Sequence, residues 1–163
     1  MSVLTLIDES YSYEVLFSKN HIKTSQIMEK IRQGKNNEIL DGYIRINDKG
    51  LVIDPKYLKN FANHHTYEII SNYMDKLIIQ FLETKCNTFN MYINLQSLSL
   101  VDIEKNLTFF KNLATHFAIK YPDRLDKCYI YKTPIIFETL FKAMKSFIDK
   151  VTLAKIFLVK EDE

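Results

Sequence analysis

The stretch Tyr121–Lys155, YPDRLDKCYIYKTPIIFETLFKAMKSFIDKVTLAK, constrains the fold more than any other part of the chain. Tyr121-Pro122-Asp123 reads as a helix stop and turn, because proline pushes the residue before it out of the α region. Lys127 to Lys132, with Cys128, Ile130 and the rings of Tyr129 and Tyr131, is short and alternating, as a strand is. Pro134 opens a helix, where its missing N–H is no loss. In that helix Ile136, Phe137, Leu140, Phe141, Met144, Phe147 and Ile148 recur at spacings of three and four and form one broad apolar face; Glu138, Lys142 and Lys145 lie off it. Val151 to Val159, β-branched and apolar, reads as a second buried strand after a short turn. Periodicity alone fits an ordinary surface helix over a core better than a helix that touches membrane or covers a ligand.

The rest of the chain repeats the alternation. Val3 to Ile7 reads as a short strand or a loose arm. Thr24 or Ser25 caps a helix running through Arg32, with Gly34 as its stop. Tyr43–Ile46 and Leu51–Ile53 are strands around the hairpin turn Asn47-Asp48-Lys49-Gly50. Asp54-Pro55 starts a short helix to about Asn63, and a longer helix runs from Thr66 to about Thr84. Phe89 to Leu95 is a buried central strand, and Asp102 caps a helix with Ile103, Leu107, Phe110, Leu113, Ala114 and Phe117 on one side. Strands that alternate with helices need crossover connections, so the expected class is α/β.

Chain length suits one domain with one core, residues 1–163, best supported over 35–160. Hydrophobic residues make up 47% and charged ones 26%, a globular rather than a disordered balance. A net charge of +2 gives no bulk electrostatic reason for nucleic-acid binding. Asp8 and Glu9 interrupt the apolar N-terminus, which does not read as a secretory signal, and no apolar run is long enough to span a bilayer. Cys86 and Cys128 have no metal-type spacing and read as reduced thiols. The expected location is the cytoplasm.

Catalytic signatures are missing from the sequence. No serine sits in a Gly-x-Ser-x-Gly elbow, neither cysteine carries a nucleophile signature, and the three glycines lie too far apart for a phosphate loop. His64 and His65 are adjacent and point in different directions on most backbones, which fits surface or capping roles better than a metal site. The expectation is a protein that is not an enzyme and uses no cofactor or metal. Taken singly, Asp123 reads as a turn stabiliser, Thr152 as a cap and Lys155 as a solvated charge at a strand end.

The order Tyr-Pro-acid-Arg-Leu, strand, Pro-x-x-Phe, aromatic helix ending Phe-Ile-Asp, and Val-Thr-x-x-Lys-Ile resembles the CRAL-TRIO lipid-binding domain. Its nearest likeness is to the secretory-pathway phosphatidylinositol/phosphatidylcholine transfer proteins, without gaps from about Phe89 to Val159. The resemblance implies a sheet with helices on its faces and a gate helix over an apolar cavity. It implies that Ile136, Phe137, Leu140, Phe141, Met144, Phe147 and Ile148 form the gate and acyl-chain surface. It also implies that Asp123, Thr152 and Lys155 coordinate an inositol phosphate headgroup: lysine pairs with the phosphate, threonine adds a hydroxyl, and the carboxylate accepts from inositol hydroxyls.

The expected function is therefore binding of phosphatidylinositol or a phosphoinositide and its exchange between membranes, with transient membrane contact. A carrier of another small hydrophobic ligand and a non-transferring protein-interaction module remain the alternatives. This sequence departs from the family pattern in specific places. Asp123 stands for a glutamate, and Phe89 and Met91 stand where hydroxyl residues bind the choline lipid's phosphate. Asn94-Leu95-Gln96-Ser97 replaces Asp-Leu-Lys-Gly, and the regions flanking the domain look shortened.

Overall fold

Parallel pairing decides the architecture. The computed structural model describes residues 2–5, 12–17, 29–30, 32–56, 59, 61–96, 98–133, 137–146 and 148–160. Among these residues, six strands form one sheet: β1 (Ser2–Thr5), β2 (Ile44–Ile46), β3 (Gly50–Ile53), β4 (Phe89–Asn94), β5 (Leu125–Tyr131) and β6 (Ile156–Lys160). Their order is β1-β6-β5-β4-β3-β2, parallel throughout except for the β2–β3 hairpin. From β3 to β6 each new strand is added on the same side of the last. Right-handed crossovers in one direction place all their helices on one face.

Those helices are α3 (Tyr67–Thr84), the consecutive α4 (Leu100–Lys105) and α5 (Leu107–Lys120), then α6 (Phe137–Met144) and α7 (Lys150–Leu153); before them come α1 (Tyr13–Phe17) and α2 (Asn36–Asp41). Side-chain alternation along the strands confirms the layering. Leu51, Ile53, Met91 and Ile130 join the core under α3 to α6, whereas Val52, Tyr92, Tyr129 and Tyr131 face the other way, against Leu16 and Phe17 of α1. Helices thus lie on both faces, as expected, but unequally.

Two close approaches set the sheet's shape. A Cβ on Gly50 would meet the Asn90 carbonyl oxygen at 1.9 Å, so β3 tolerates no side chain there. Between β4 and β5 the register slips, Phe89 pairing with Leu125 but Met91 with Cys128. The Asn90 side-chain oxygen accepts from the Lys127 N–H at 3.1 Å, which satisfies a donor the bulge would strand.

Several sequence expectations are corrected. Val151–Val159 is not one strand: Asp149 caps the one-turn helix α7, and β6 begins only at Ile156. β-branched residues have high strand propensity, but the cap and the short span from α6 favour a helical turn here. Ser99, not Asp102, caps α4; Asp102 closes the capping box from the third helical position. The single helix expected after it breaks at the buried Asn106, whose amide accepts from the Tyr67 hydroxyl at 2.5 Å and donates to the Asp102 carbonyl.

Elsewhere the reading holds, is corrected in one short helix, or falls outside what is described. The hairpin and the helix beginning after Thr66 are as expected. Glu29, Lys30 and Arg32 are helical and Gly34 has φ +67°, a helix stop, while residues 21–28 lie outside the described residues. The short helix expected from Asp54-Pro55 to about Asn63 is corrected: Pro55 and Lys56 form a turn, Lys59 is helical, Phe61 to Asn63 are not, and residues 57, 58 and 60 lie outside the described residues.

Candidate functional site

An apolar cavity of about 440 Å³ lies between α5, the carboxyl half of the helical layer and strands β4 to β6. Its floor is made by buried residues of the sheet, Phe89, Met91, Cys128 and Ile130. Its wall is the half-buried stripe of α5: Phe110, Leu113, Ala114 and Phe117. Amphipathic periodicity put these α5 residues on one side, and the structure shows that this side looks into empty space as much as into protein.

The rim is polar and comes from two separate turns. Tyr121-Pro122-Asp123 ends α5, with the Tyr121 N–H bonded to the Phe117 carbonyl at 2.8 Å, and Asp123 adopts φ +59°, a left-handed conformation that aspartate tolerates better than most residues. The Asp149–Lys155 turn supplies the other side. Thr152 lies within α7, and Lys155 sits immediately before β6, its carbonyl accepting from the Cys128 N–H at 2.8 Å. Asp123, Thr152 and Lys155, separated by some 30 residues of chain, therefore line one cavity.

The residues expected to form the gate divide. Met144 and Ile148 line the cavity. Phe137 and Phe141, with ring centroids 6.1 Å apart, are buried in the main core and are not part of the cavity wall. Leu140 lies within α6, while Ile136 and Phe147 fall outside the described residues. Lys142, Lys145 and Lys150 are exposed, and the Lys145 ammonium lies 5.3 Å from the Phe141 ring centroid.

Two acidic neighbours of the cavity escaped the sequence reading. The first is Asp149, which also lines the cavity and accepts the Thr152 N–H at 2.7 Å. The Thr152 N–H, then its hydroxyl, and the nearby Lys155 charge hold this carboxyl below its usual range, against the opposing effect of burial. The signal was present: an aspartate three residues before a threonine, at a helix start.

The second is Asp75 of α3, a buried carboxylate that anchors the cavity wall from behind. It accepts from the Tyr121 hydroxyl at 2.7 Å, lies 2.7 Å from His116 Nε2 and is 3.4 Å from the Lys120 ammonium. Burial works to raise the Asp75 carboxyl, but the bonds from Tyr121 and His116 and the charges of His116 and Lys120 together hold it below the usual range. The same contacts push the Tyr121 phenol up, burial first. No periodicity marks such a partnership across 46 residues.

Burial pushes the Cys128 thiol up to about 12, so this cavity residue is an inert apolar group near neutral pH. Among the described residues no three His, Cys, Asp or Glu side chains cluster to hold a metal, and no helix is long and apolar enough to cross a membrane.

Comparison with known proteins meets this geometry from another side. The family model described as CRAL/TRIO domain matches residues 50–163. A CRAL-TRIO domain-containing protein of Saccharomyces cerevisiae is 36% identical over 78 residues, 48% of this chain and 24% of that protein. A phosphatidylinositol transfer protein, CSR1, of Eremothecium gossypii is 32% identical over 80 residues, 49% of this chain and 18% of that protein. The SEC14 cytosolic factor of Candida glabrata is 28% identical over 108 residues, 64% of this chain and 34% of that protein. The chain thus matches about a third or less of the length of these relatives. The crystal structure of Sfh5 superimposes with a TM-score of 0.62 over 82% of this chain and 55% of that one, at 15% identity, a likeness of fold.

Proposed function

Because the chain belongs to the CRAL/TRIO domain family, whose model takes in residues 50–163, we propose that it binds phosphatidylinositol or a phosphoinositide in its cavity and exchanges it between membranes. The observation that carries this reading is the cavity itself: an apolar floor and wall under a rim that holds Asp123, Thr152 and Lys155. The names of similar proteins, a phosphatidylinositol transfer protein and a cytosolic factor, point the same way. The setting we propose is the cytoplasm, with transient contact at membrane surfaces.

The energetics define what such a carrier must do. Each lipid methylene taken from a bilayer must be re-buried at about 0.8 kcal/mol, and Phe110, Leu113, Phe117, Met91, Met144 and Ile148 offer that surface. α6 then acts as the gate: its outward movement exposes Met144 and the cavity, while Lys142, Lys145 and Lys150 face anionic headgroups. At the rim the Lys155 ammonium meets the phosphate, Thr152 adds a donor, and Asp123 accepts from inositol hydroxyls. Phe89 and Met91 offer the floor no hydroxyl, so phosphatidylcholine is the poorer ligand. Exchange involves no covalent step.

The test is loading from mixed vesicles of phosphatidylcholine and phosphatidylinositol, followed by mass spectrometry of lipid bound to the re-isolated protein. Phosphatidylinositol should dominate, and Lys155→Ala should lower its loading at least tenfold, because a charge-assisted hydrogen bond contributes roughly 1.5–3 kcal/mol. Thr152→Ala should lower it less. Equal loading of the two lipids, or a folded Lys155→Ala protein that loads normally, defeats the assignment.

A further inference from the structure

The rim holds more negative charge than an anion site should. Among the described residues lining the cavity, the charged ones are Asp123, Asp149 and Lys155, two carboxylates against one ammonium. Asp149 is also tied to the groups expected to hold a phosphate. It accepts the Thr152 backbone N–H at 2.7 Å, and it lines the same cavity as the Thr152 and Lys155 side chains. A phosphate arriving here meets a fixed carboxylate that already holds the Thr152 N–H.

We propose that Asp149 is a specificity-determining residue that restricts the site to a headgroup with a single phosphodiester and free hydroxyls, and excludes headgroups bearing additional phosphomonoesters. The inference rests on the headgroup reading above and narrows it. A phosphodiester brings one negative charge, which Lys155 alone balances, and the neighbouring polyol hydroxyls donate to Asp149 and Asp123, which accept only. A phosphomonoester brings nearly two further charges and only acceptor oxygens near neutral pH. Set against two carboxylates and one lysine, it meets like-charge repulsion that no described residue of the cavity offsets.

The alternative role for Asp149 is purely structural, since it caps α7. Asparagine separates the two roles. It caps nearly as well as aspartate, accepting the same N–H through its amide oxygen, but carries no charge. Asp149→Asn therefore preserves the turn and removes only the electrostatic exclusion, whereas Asp149→Ala loses both.

The experiment offers the folded protein vesicles of phosphatidylcholine that contain phosphatidylinositol and phosphatidylinositol 4-phosphate in equal amounts, and the bound lipids are weighed by mass spectrometry. The wild-type protein should favour phosphatidylinositol by at least tenfold. Asp149→Asn should shrink that ratio by about tenfold, mostly through gained phosphatidylinositol 4-phosphate, with the melting temperature unchanged. High salt should shrink the wild-type ratio too, because this exclusion is screened at an exposed rim. Excess deacylated headgroup, glycerophosphoinositol, should not displace the lipid, which separates a lipid site from one for free polyol phosphates. If the wild-type protein loads both inositol lipids equally, or if Asp149→Asn leaves the ratio unchanged, the inference is overturned while inositol-lipid binding stands. Loading of neither inositol lipid overturns the headgroup reading and the inference with it.

Discussion

α3 and α5 are crossover helices of the same layer, and both carry an apolar stripe, yet they do different work. α3 presses Ile70, Tyr73, Met74, Leu77, Ile78 and Phe81 into the core, and Ile70, Ile78 and Phe81 are 0% exposed. Of α5 only Phe109 is fully buried, stacked on Tyr67 at 4.3 Å, while Phe110, Leu113 and Phe117 stay half-buried along the cavity. One half of the layer is close-packed and the other holds a void. Stability should therefore reside over β2 to β4 and ligand capacity over β4 to β6. The Asp75 carboxylate on α3, bound to Tyr121 and His116 at the end of α5, ties the two halves.

The sharpest way to break this comparison is Phe81→Ala. A fully buried ring in a packed region should cost about 3–5 kcal/mol of stability, read by denaturant unfolding, with lipid loading per folded molecule unchanged. A loss below 1 kcal/mol would mean that the α3 half is no tighter than the α5 half. Next comes Asp75→Asn, which keeps the shape of the tie and removes its charge. Loss of a buried charge-assisted network should cost roughly 1–3 kcal/mol at neutral pH.

That difference should depend on pH in one direction. The Asp75 carboxyl is depressed in the folded protein, so its contribution is fully present above the ordinary aspartate value of about 3.9 and is lost as pH falls through its lower folded value. Wild type and Asp75→Asn should converge in stability below about pH 4. A constant gap across that range would remove the charge from the account.

The smallest expected effect on stability comes from filling the void. Ala114→Phe adds a ring where α5 faces the cavity, so it should change stability by about 1 kcal/mol or less and lower lipid loading severalfold. If it destabilises as much as Phe81→Ala, the α5 half is already packed and the comparison fails. With loading unimpaired, the lipid does not occupy the space beside Ala114.

What the sequence determined was the order of elements, because hydrophobic period and turn chemistry are local properties. The Asn47–Gly50 hairpin, the α3 stripe, the stop at Tyr121-Pro122 and the strand through Cys128 and Ile130 were legible for that reason. The grouping of Asp123, Thr152 and Lys155 was legible only through the order of motifs they share with a family, since nothing local joins a helix stop to a turn some 30 residues on. Where local signals compete, sequence misled: β-branched Val151 and Thr152 read as strand, but the Asp149 cap makes them helical. Tertiary structure alone decided the rest. An amphipathic stripe records which side of a helix avoids water, not whether protein or empty space lies opposite, so α3 and α5 looked alike in sequence. Asp75 meets Tyr121, and Asp123 and the Asp149–Lys155 turn line one cavity, because the sheet's one-directional crossovers stack those turns and helices on one face, and hydrogen bonds and charge act across distances in space that chain separation does not encode.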